Sequence, residues 1–286
     1  MDVPSFYRTD SIITLHMDGG GRVNVKVVKV FTPFSRGQVS LVRVTENLRD
    51  LPPIFIIKTF DPRFDGIRFN RKGALVQPWS QQAKEEAEAL CRRGTPKTMQ
   101  FHWEYPEEDD LVGWEQLCYR RMVLDYSIEV EAYRRLQPFQ GHHIPTLYGE
   151  AKLITTDVTR AIIPRTLLIE YIPNALPINK VNNELITPTL AKSFLALLKA
   201  FHARGVVHND LNHGNILVGG SESGEARAVL IDFGQVCLRQ SQTADAEWAL
   251  LVRQQADTRC MLRQLKESLG TEDMTSFIGE PIDVYA

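Results

Sequence analysis

The chain has 286 residues, a formal net charge of −2, and 43% apolar and 24% charged side chains. That length suits one large domain or two lobes with a sizeable core, and the balanced charge gives no electrostatic case for nucleic acid or an acidic membrane surface. No apolar run reaches membrane-spanning length, so no membrane partner is expected.

The N-terminus, MDVPSFYRTDS, has neither a basic nor an apolar signal region. Cys91, Cys118, Cys237 and Cys260 stand singly, without CxxC or metal-ligand spacing. They read as free thiols in a reducing, cytoplasmic setting, with the nucleus left open.

In chain order, the first sixty residues read as strands. VNVKVVKVF (23–31) and QVSLVRVT (38–45) alternate, and PPIFIIKTF (52–60) is an apolar run that ends at Lys58 and its neighbours. Gly19 to Gly21, TPFSRG and NLRD punctuate them as turns. Neighbours joined this closely pair antiparallel.

Residues 61–111 form a long insert, partly helical around WSQQAKEEAEALCRR. Trp114, Cys118, Met122, Tyr133 and Leu136 then recur at helical spacing, with Glu129 and Glu131 near that helix's end. EAKLIT (150–155) and RTLLIEYI (165–172) read as two more strands. From Thr187 to Arg204 the sequence predicts a helix: Thr187 is a good N-cap, Pro188 suits the first helical position, and Gly205 suits the stop. A last helix is expected over about 245–269, stopped by Gly270. Strands come first and helices later, so the class is α+β in two lobes.

The chemistry gathers between those last two helices. HNDLNHGNIL (208–217) leads into ILV, a Gly-rich turn and AVLI (228–231), a hairpin signal, after which comes Asp232. If the two strands pair antiparallel, Asn215 before the first lies beside Asp232 after the second. An amide oxygen and a carboxylate converging there suit Mg²⁺, which takes hard oxygen ligands and completes its shell with water and phosphate. Asp210 would reach the same place from the loop. Taken singly, each of these residues is ordinary turn chemistry; the ordered set is what points to catalysis.

HNDLNHGN followed by IDFG resembles the catalytic loop and metal motif of the protein-kinase-like superfamily, with Asn five residues after the Asp of His-x-Asp. The HND…HGN flavour is similar to the aminoglycoside and choline phosphotransferase branch. IIKTFDPRF and EVEAYRRLQPFQGHHIP are similar to a group of divergent fungal kinase-like proteins.

The resemblance implies a bilobal kinase-like fold: an N-lobe over 1–172, with a helical insertion at about 61–127, and a shortened, mainly helical C-lobe over 173–286. It implies ATP and Mg²⁺ as cofactors. Lys58 would hold the α- and β-phosphates and pair with Glu129, with Glu131 left open as the alternative. Glu170 and Ile172, in LIEYI, would read the adenine through their backbone. Asn215 and Asp232 would bind Mg²⁺, and Asp210 would orient or deprotonate the acceptor hydroxyl. His208 would brace the loop, His213 would be a plain loop residue, and Asp257 is a candidate anchor for the His208 segment.

Three features depart from that pattern. TPFSRGQ has one glycine, Gly37, in place of a glycine-rich phosphate loop, with Arg36 as either a compensating charge or a lone surface group. GGGR (19–22) precedes the first expected strand. Asn212 stands where protein kinases place Lys, and few residues separate IDFG from the last helix, without an APE motif. A phosphotransferase acting on an unidentified protein or small-molecule acceptor is therefore expected. A nucleotide-binding pseudokinase scaffold and a plain interaction module are the rival readings.

Overall fold

The computed structural model describes residues 7–34, 36–46, 51–69, 74–93, 105–154, 163–220 and 226–279. NLRD (47–50), Ser35 of TPFSRG, and much of the Gly-rich hairpin turn lie outside the described residues. The chain divides into two units, Met1–Tyr126 with Leu147–Tyr171, and Ser127–Thr146 with Ile172–Ala286. Compared with lobes at 1–172 and 173–286, Ser127–Thr146 and Ile172 group with the second unit.

The first unit is built on six antiparallel strands: β1 (Ile12–Met17), β2 (Arg22–Phe31), β3 (Gln38–Val44), β4 (Ile54–Phe60), β5 (Leu147–Ile154) and β6 (Arg165–Ile169). Their order is β1-β2-β3-β4-β6-β5, and β1 also pairs with β5, so the sheet closes into a barrel without free edges. Alternation dictates what fills it. Ile13 and Leu15, Val23, Val25 and Val27, and Phe55 and Ile57 point inward and are all buried.

The expected strands are present, and β1 is an addition to them. IITLHM is short and begins on the exposed Ile12, so its period-2 signal is weak. Pairing with β2 from Ile12↔Lys26 to His16↔Arg22 makes it a strand, with Gly20 and Gly21 at positive φ in the turn between them. At the other end β6 stops at Ile169, so Glu170 and Ile172 lie just past the strand and not within it.

Helices α1 (Gln81–Arg92) and α2 (Leu111–Arg135) carry the helical signals of the insert and of Trp114–Leu136. All five residues of that helical spacing are buried. The insert is organised by polar groups. Asp61 and Asp65 cap two short 3-10 turns, and the fully buried Arg68 bonds to Pro62 O, Gln77 O and the Glu115 carboxylate at 2.8 Å.

The second unit is mainly helical. It holds α3 (Pro188–Ala203), α4 (Asp245–Gln255), α5 (Asp257–Leu269) and α6 (Met274–Ile278). Five short strands accompany them: β7 (Leu176–Pro177), β8 (Val206–Val207), β9 (Ile216–Gly220), β10 (Ala226–Leu230) and β11 (Cys237–Leu238). Helix α3 follows its signals closely. The Thr187 hydroxyl accepts from Leu190 N at 3.2 Å, Pro188 opens the helix, and Gly205 leaves it at φ 71°.

The single helix expected over 245–269 is two. Ala256 takes a left-handed conformation, φ 61° and ψ 32°, which ends α4 and starts α5 at Asp257. An alanine there carries no break signal, which is why the sequence reads as continuous. The architecture is α+β: an antiparallel sheet unit and a mainly helical unit.

Candidate active site

The strands β9 and β10 pair antiparallel, with Ile216 opposite Leu230. One step beyond, Ile231 N donates to Asn215 O at 3.1 Å. Asn215 thus sits across from Ile231, and Asp232 lies one residue past the position expected for it. The chain turns there, with Asp232 at φ 65°, a conformation that Asp tolerates better than most residues. Asn209 takes the same left-handed form at φ 59°. Two such residues in one polar loop system are the kind of local strain that collects at functional sites.

Phe233 anchors the exit of the hairpin. It is fully buried, with ring centroids 5.3 Å from Tyr133, 6.2 Å from Phe201 and 5.3 Å from His208. This places α2, α3 and the 208–217 loop around one aromatic side chain.

His208 braces the loop as expected. Its Nε2 donates to Ile231 O at 3.1 Å, tying the loop to the hairpin. Its backbone N–H donates to Asp257 Oδ2 at 2.6 Å, and Asn209 N donates to Asp257 Oδ1 at 2.9 Å. The break at Ala256 explains this anchor, because it puts Asp257 at the start of α5 with its carboxylate buried against two loop amides. His202 Nε2 joins the same carboxylate at 3.3 Å. His213 lies in a 3-10 turn of the loop and meets Glu267 at 3.1 Å.

At the centre stands Asp210, partly exposed, with three side-chain amides on its carboxylate. Asn215 Nδ2 donates to Oδ2 at 3.0 Å and to the Asp210 carbonyl at 2.8 Å. Gln235 Nε2 donates to the same Oδ2 at 2.9 Å, and Asn212 Nδ2 donates to Oδ1 at 3.2 Å. Asn215 therefore turns its nitrogen toward Asp210, which leaves its Oδ1 as the acceptor end. That oxygen and the Asp232 carboxylate are both hard donors, so this donor set fits Mg²⁺. Among the described residues no group of three His, Cys, Asp or Glu side chains could hold a metal ion. A cation here would complete its shell from phosphate and water.

Two members of this cluster were not visible in the sequence as working groups. Asn212 was noted only as a departure, and here its Oδ1 caps the loop's 3-10 turn by accepting from Gly214 N at 2.8 Å while its nitrogen binds Asp210. Gln235 directly follows IDFG, in the short segment before the last helix. Its place beside Phe233-Gly234 was the one available signal.

The other expected site residues stand as follows. Lys58, in the first unit, lies on β4 between Val39 and Leu167 and is 5% exposed. Gly37 is close beside it: a Cβ at Gly37 would come within 3.1 Å of both Lys58 Cγ and Cε. Arg36 is neither a lone surface group nor free, since it pairs with the buried Asp125 of α2 at 2.7 Å. Burial pushes the Asp125 carboxyl up, opposed by the Arg36 charge.

Glu129, on the part of α2 that belongs to the second unit, is buried. Glu131 binds Arg134 and Arg135 at 2.6 and 2.7 Å and is more exposed. Glu170 follows β6 in the first unit, and Ile172, which opens a segment of the second unit, brings its side chain near Gly219.

Against this geometry, residues 169–278, less than half of the chain, match the lipopolysaccharide kinase (Kdo/WaaP) family. Among curated proteins no match is found. Solved structures similar to the chain include the kinase domain of Mycobacterium tuberculosis PknI, as a double mutant, at 15% identity and a TM-score of 0.41. That likeness covers 92% of this chain and 82% of the other. The Rio2 kinase–ADP/Mg²⁺–phosphoaspartate complex from Chaetomium thermophilum is similar at 14% identity and a TM-score of 0.46, covering 89% of this chain and 63% of that one. With TM-scores below 0.5, neither likeness bears on the roles of individual residues. Among the described residues, no helix is long and apolar enough to cross a membrane.

Proposed function

We propose that the chain is a phosphotransferase that uses ATP and Mg²⁺ to phosphorylate a hydroxyl of a protein or small-molecule acceptor. The observation that carries the reading is the Asp210 carboxylate, fixed by three amides, one of which belongs to the Asn215 that borders Asp232. The match of residues 169–278 to a kinase family supports it from an independent direction.

In this reading Asp210 aligns the acceptor hydroxyl and takes its proton, while the amides keep the carboxylate from turning. Asn215 and Asp232 hold Mg²⁺, whose charge offsets that of the phosphates. Lys58, buried on β4, holds the α- and β-phosphates, and Glu129 is its partner. Glu131 is the weaker choice, because two arginines already occupy it. The backbone of Glu170 and Ile172 receives the adenine. Phosphoryl transfer asks mostly for alignment and charge cancellation, and these residues supply both. The HND…HGN loop favours the aminoglycoside and choline phosphotransferase side of the superfamily, and IIKTFDPRF a fungal kinase-like lineage.

A second reading, a nucleotide-binding pseudokinase that serves as a scaffold, is favoured by the β2–β3 connection. It has the single Gly37, and its Arg36 is drawn to Asp125. ATP turnover by the purified protein with Mg²⁺, beside Asp210→Asn, separates the two. Turnover in the wild type that falls at least 100-fold in the variant is the result expected of the enzyme. Equal inactivity of both proteins, with nucleotide still raising the melting temperature, assigns the scaffold.

A further inference from the structure

The outer face of the barrel in the first unit carries a row of side chains that the proposed function leaves unused. Across paired strands, Phe60 on β4 lies opposite Arg165 on β6, and Arg165 opposite Lys152 on β5. Lys152 in turn lies opposite His16 on β1, and His16 opposite Arg22 on β2. Directly opposed residues share one face of a sheet, about 5 Å apart. Leu153, Leu15 and Val23, the next residues along β5, β1 and β2, are buried in the barrel core. Lys152, His16 and Arg22 therefore point outward and are exposed.

Basic side chains opposed in this way repel unless anions answer them. Arg165 is answered, by Asp18, Tyr126 and Glu150. The side chains of Lys152, His16 and Arg22 make no hydrogen bond or ion pair among the described residues. A second basic pair on the barrel shows the contrast: Lys26 lies opposite Arg43, and there Asp10 meets Lys26 at 2.7 Å. The row thus presents two unanswered cations with an imidazole between them, over roughly 10 Å of sheet surface.

At its β6 end the row meets a cavity of about 520 Å³, whose lining includes Phe60, Lys152 and Arg165. Met122, Val123 and Ile163 make more of that wall apolar, and Val123 and Ile163 remain 44% and 54% exposed. An apolar hollow and a cationic row join at Lys152.

We infer that this face docks an acidic segment of a partner protein, with one apolar side chain in the cavity and the following carboxylates along Lys152, His16 and Arg22. A membrane surface or a nucleic acid needs a broad basic field. This chain has a net charge of −2, and the neighbouring positions on the same face are the uncharged Thr14, Asn24 and Ile154. A small ligand would gain enclosure in the hollow but none along the flat row. An extended segment covers both.

A fluorescein-labelled peptide of one phenylalanine, one glycine and four glutamates is a suitable probe, read by fluorescence anisotropy with the full chain. Saturable binding is expected, and Lys152→Gln combined with Arg22→Gln should weaken it about fivefold or more, as loss of two exposed ion pairs requires. Lys180→Gln combined with Arg253→Gln removes the same charge from exposed positions of the second unit and should change binding less than twofold. Alanine in place of the peptide's phenylalanine should cost about tenfold, the scale of burying one aromatic side chain. Glutamine in place of its glutamates should abolish saturable binding. The peptide arms leave the protein unaltered, so the test does not depend on a variant folding. Absence of saturable binding to the wild type overturns the inference. So does a loss that the second-unit variant shares equally, or tighter binding of phosphatidylserine vesicles or an RNA oligonucleotide through Lys152 and Arg22.

Discussion

A carboxylate that must accept a proton at one moment in a reaction has to be held still without being neutralised. Amide donors do this well, because they bring directional hydrogen bonds without a full positive charge. Asp210 has such donors in Asn212, Asn215 and Gln235. Of these only Asn215 was legible as functional, through its spacing within the HND…HGN pattern. Gln235 lies 25 positions after Asp210 and becomes a partner only after the hairpin brings it back. Its removal tests the idea. Gln235→Ala is expected to lower kcat about tenfold or more, the scale of one hydrogen bond to a charged group, with KM for ATP nearly unchanged. A raised KM with unaltered kcat would place Gln235 in nucleotide binding and not beside Asp210. Asp257 works differently, through the fold. Asp257→Ala strips acceptors from His208 N and Asn209 N in a buried setting and should cost about 2–4 kcal/mol, read as a lower melting temperature. Asp257→Asn, which keeps one oxygen, should cost less than the alanine variant.

Elements were legible wherever one strong local signal governed them. The alternation in β2, β3 and β4 and the cap, proline and glycine of α3 needed no tertiary knowledge. What failed to show was set by partners elsewhere. Strand β1 is recruited by β2 and β5, and the α4–α5 break at Ala256 coincides with the placement of Asp257 on the loop amides. The choice between Glu129 and Glu131 stayed open in the sequence for the same reason, since both lie on α2 and they differ only in burial and in the ion pairs of Glu131. The ion pairs of Glu131 make an expectation at this scale. A hydrogen bond from Arg134, aided by one from Arg135 and opposed by burial, holds its carboxyl down to about 2 from an ordinary 4.5. A pKa depressed in the folded state means that the ionised form favours folding. The contribution is therefore full above pH 4.5 and is lost as pH falls toward 2. Glu131→Gln should lower stability slightly at neutral pH, the amount being small because the pair is partly solvated, and should flatten that part of the acid limb so that the two proteins converge as pH falls toward 2. An acid limb identical in both proteins would mean that the arginines hold Glu131 no more tightly than solvent does.

For the molecule as a whole, the proposed function assigns roles to residues in both units: Lys58 and Glu170 in the first, Glu129, Ile172, Asp210, Asn215 and Asp232 in the second. A ligand that binds only the folded protein stabilises it in proportion to the logarithm of its saturation. At a free Mg·ATP concentration about 100 times the dissociation constant this amounts to about 2.7 kcal/mol, and each tenfold loss of affinity removes about 1.4 kcal/mol. Lys58→Ala, by deleting the cation proposed for the phosphates, should lower this stabilisation whether or not Mg²⁺ is present. Asp232→Asn, by weakening the proposed cation site, should lower it only when Mg²⁺ is present and leave metal-free ATP binding largely intact. The contrast is the informative part, because a general loss of fold would reduce both arms together in both variants. Asp210→Asn is expected to keep the full stabilisation, since the role proposed for Asp210 is toward the acceptor and not the nucleotide. Melting curves of these four proteins with ATP, with Mg²⁺ and with both therefore sort the assigned roles into phosphate, metal and acceptor groups. Stabilisation that is unaltered in Lys58→Ala and in Asp232→Asn would remove the nucleotide from the account of this protein.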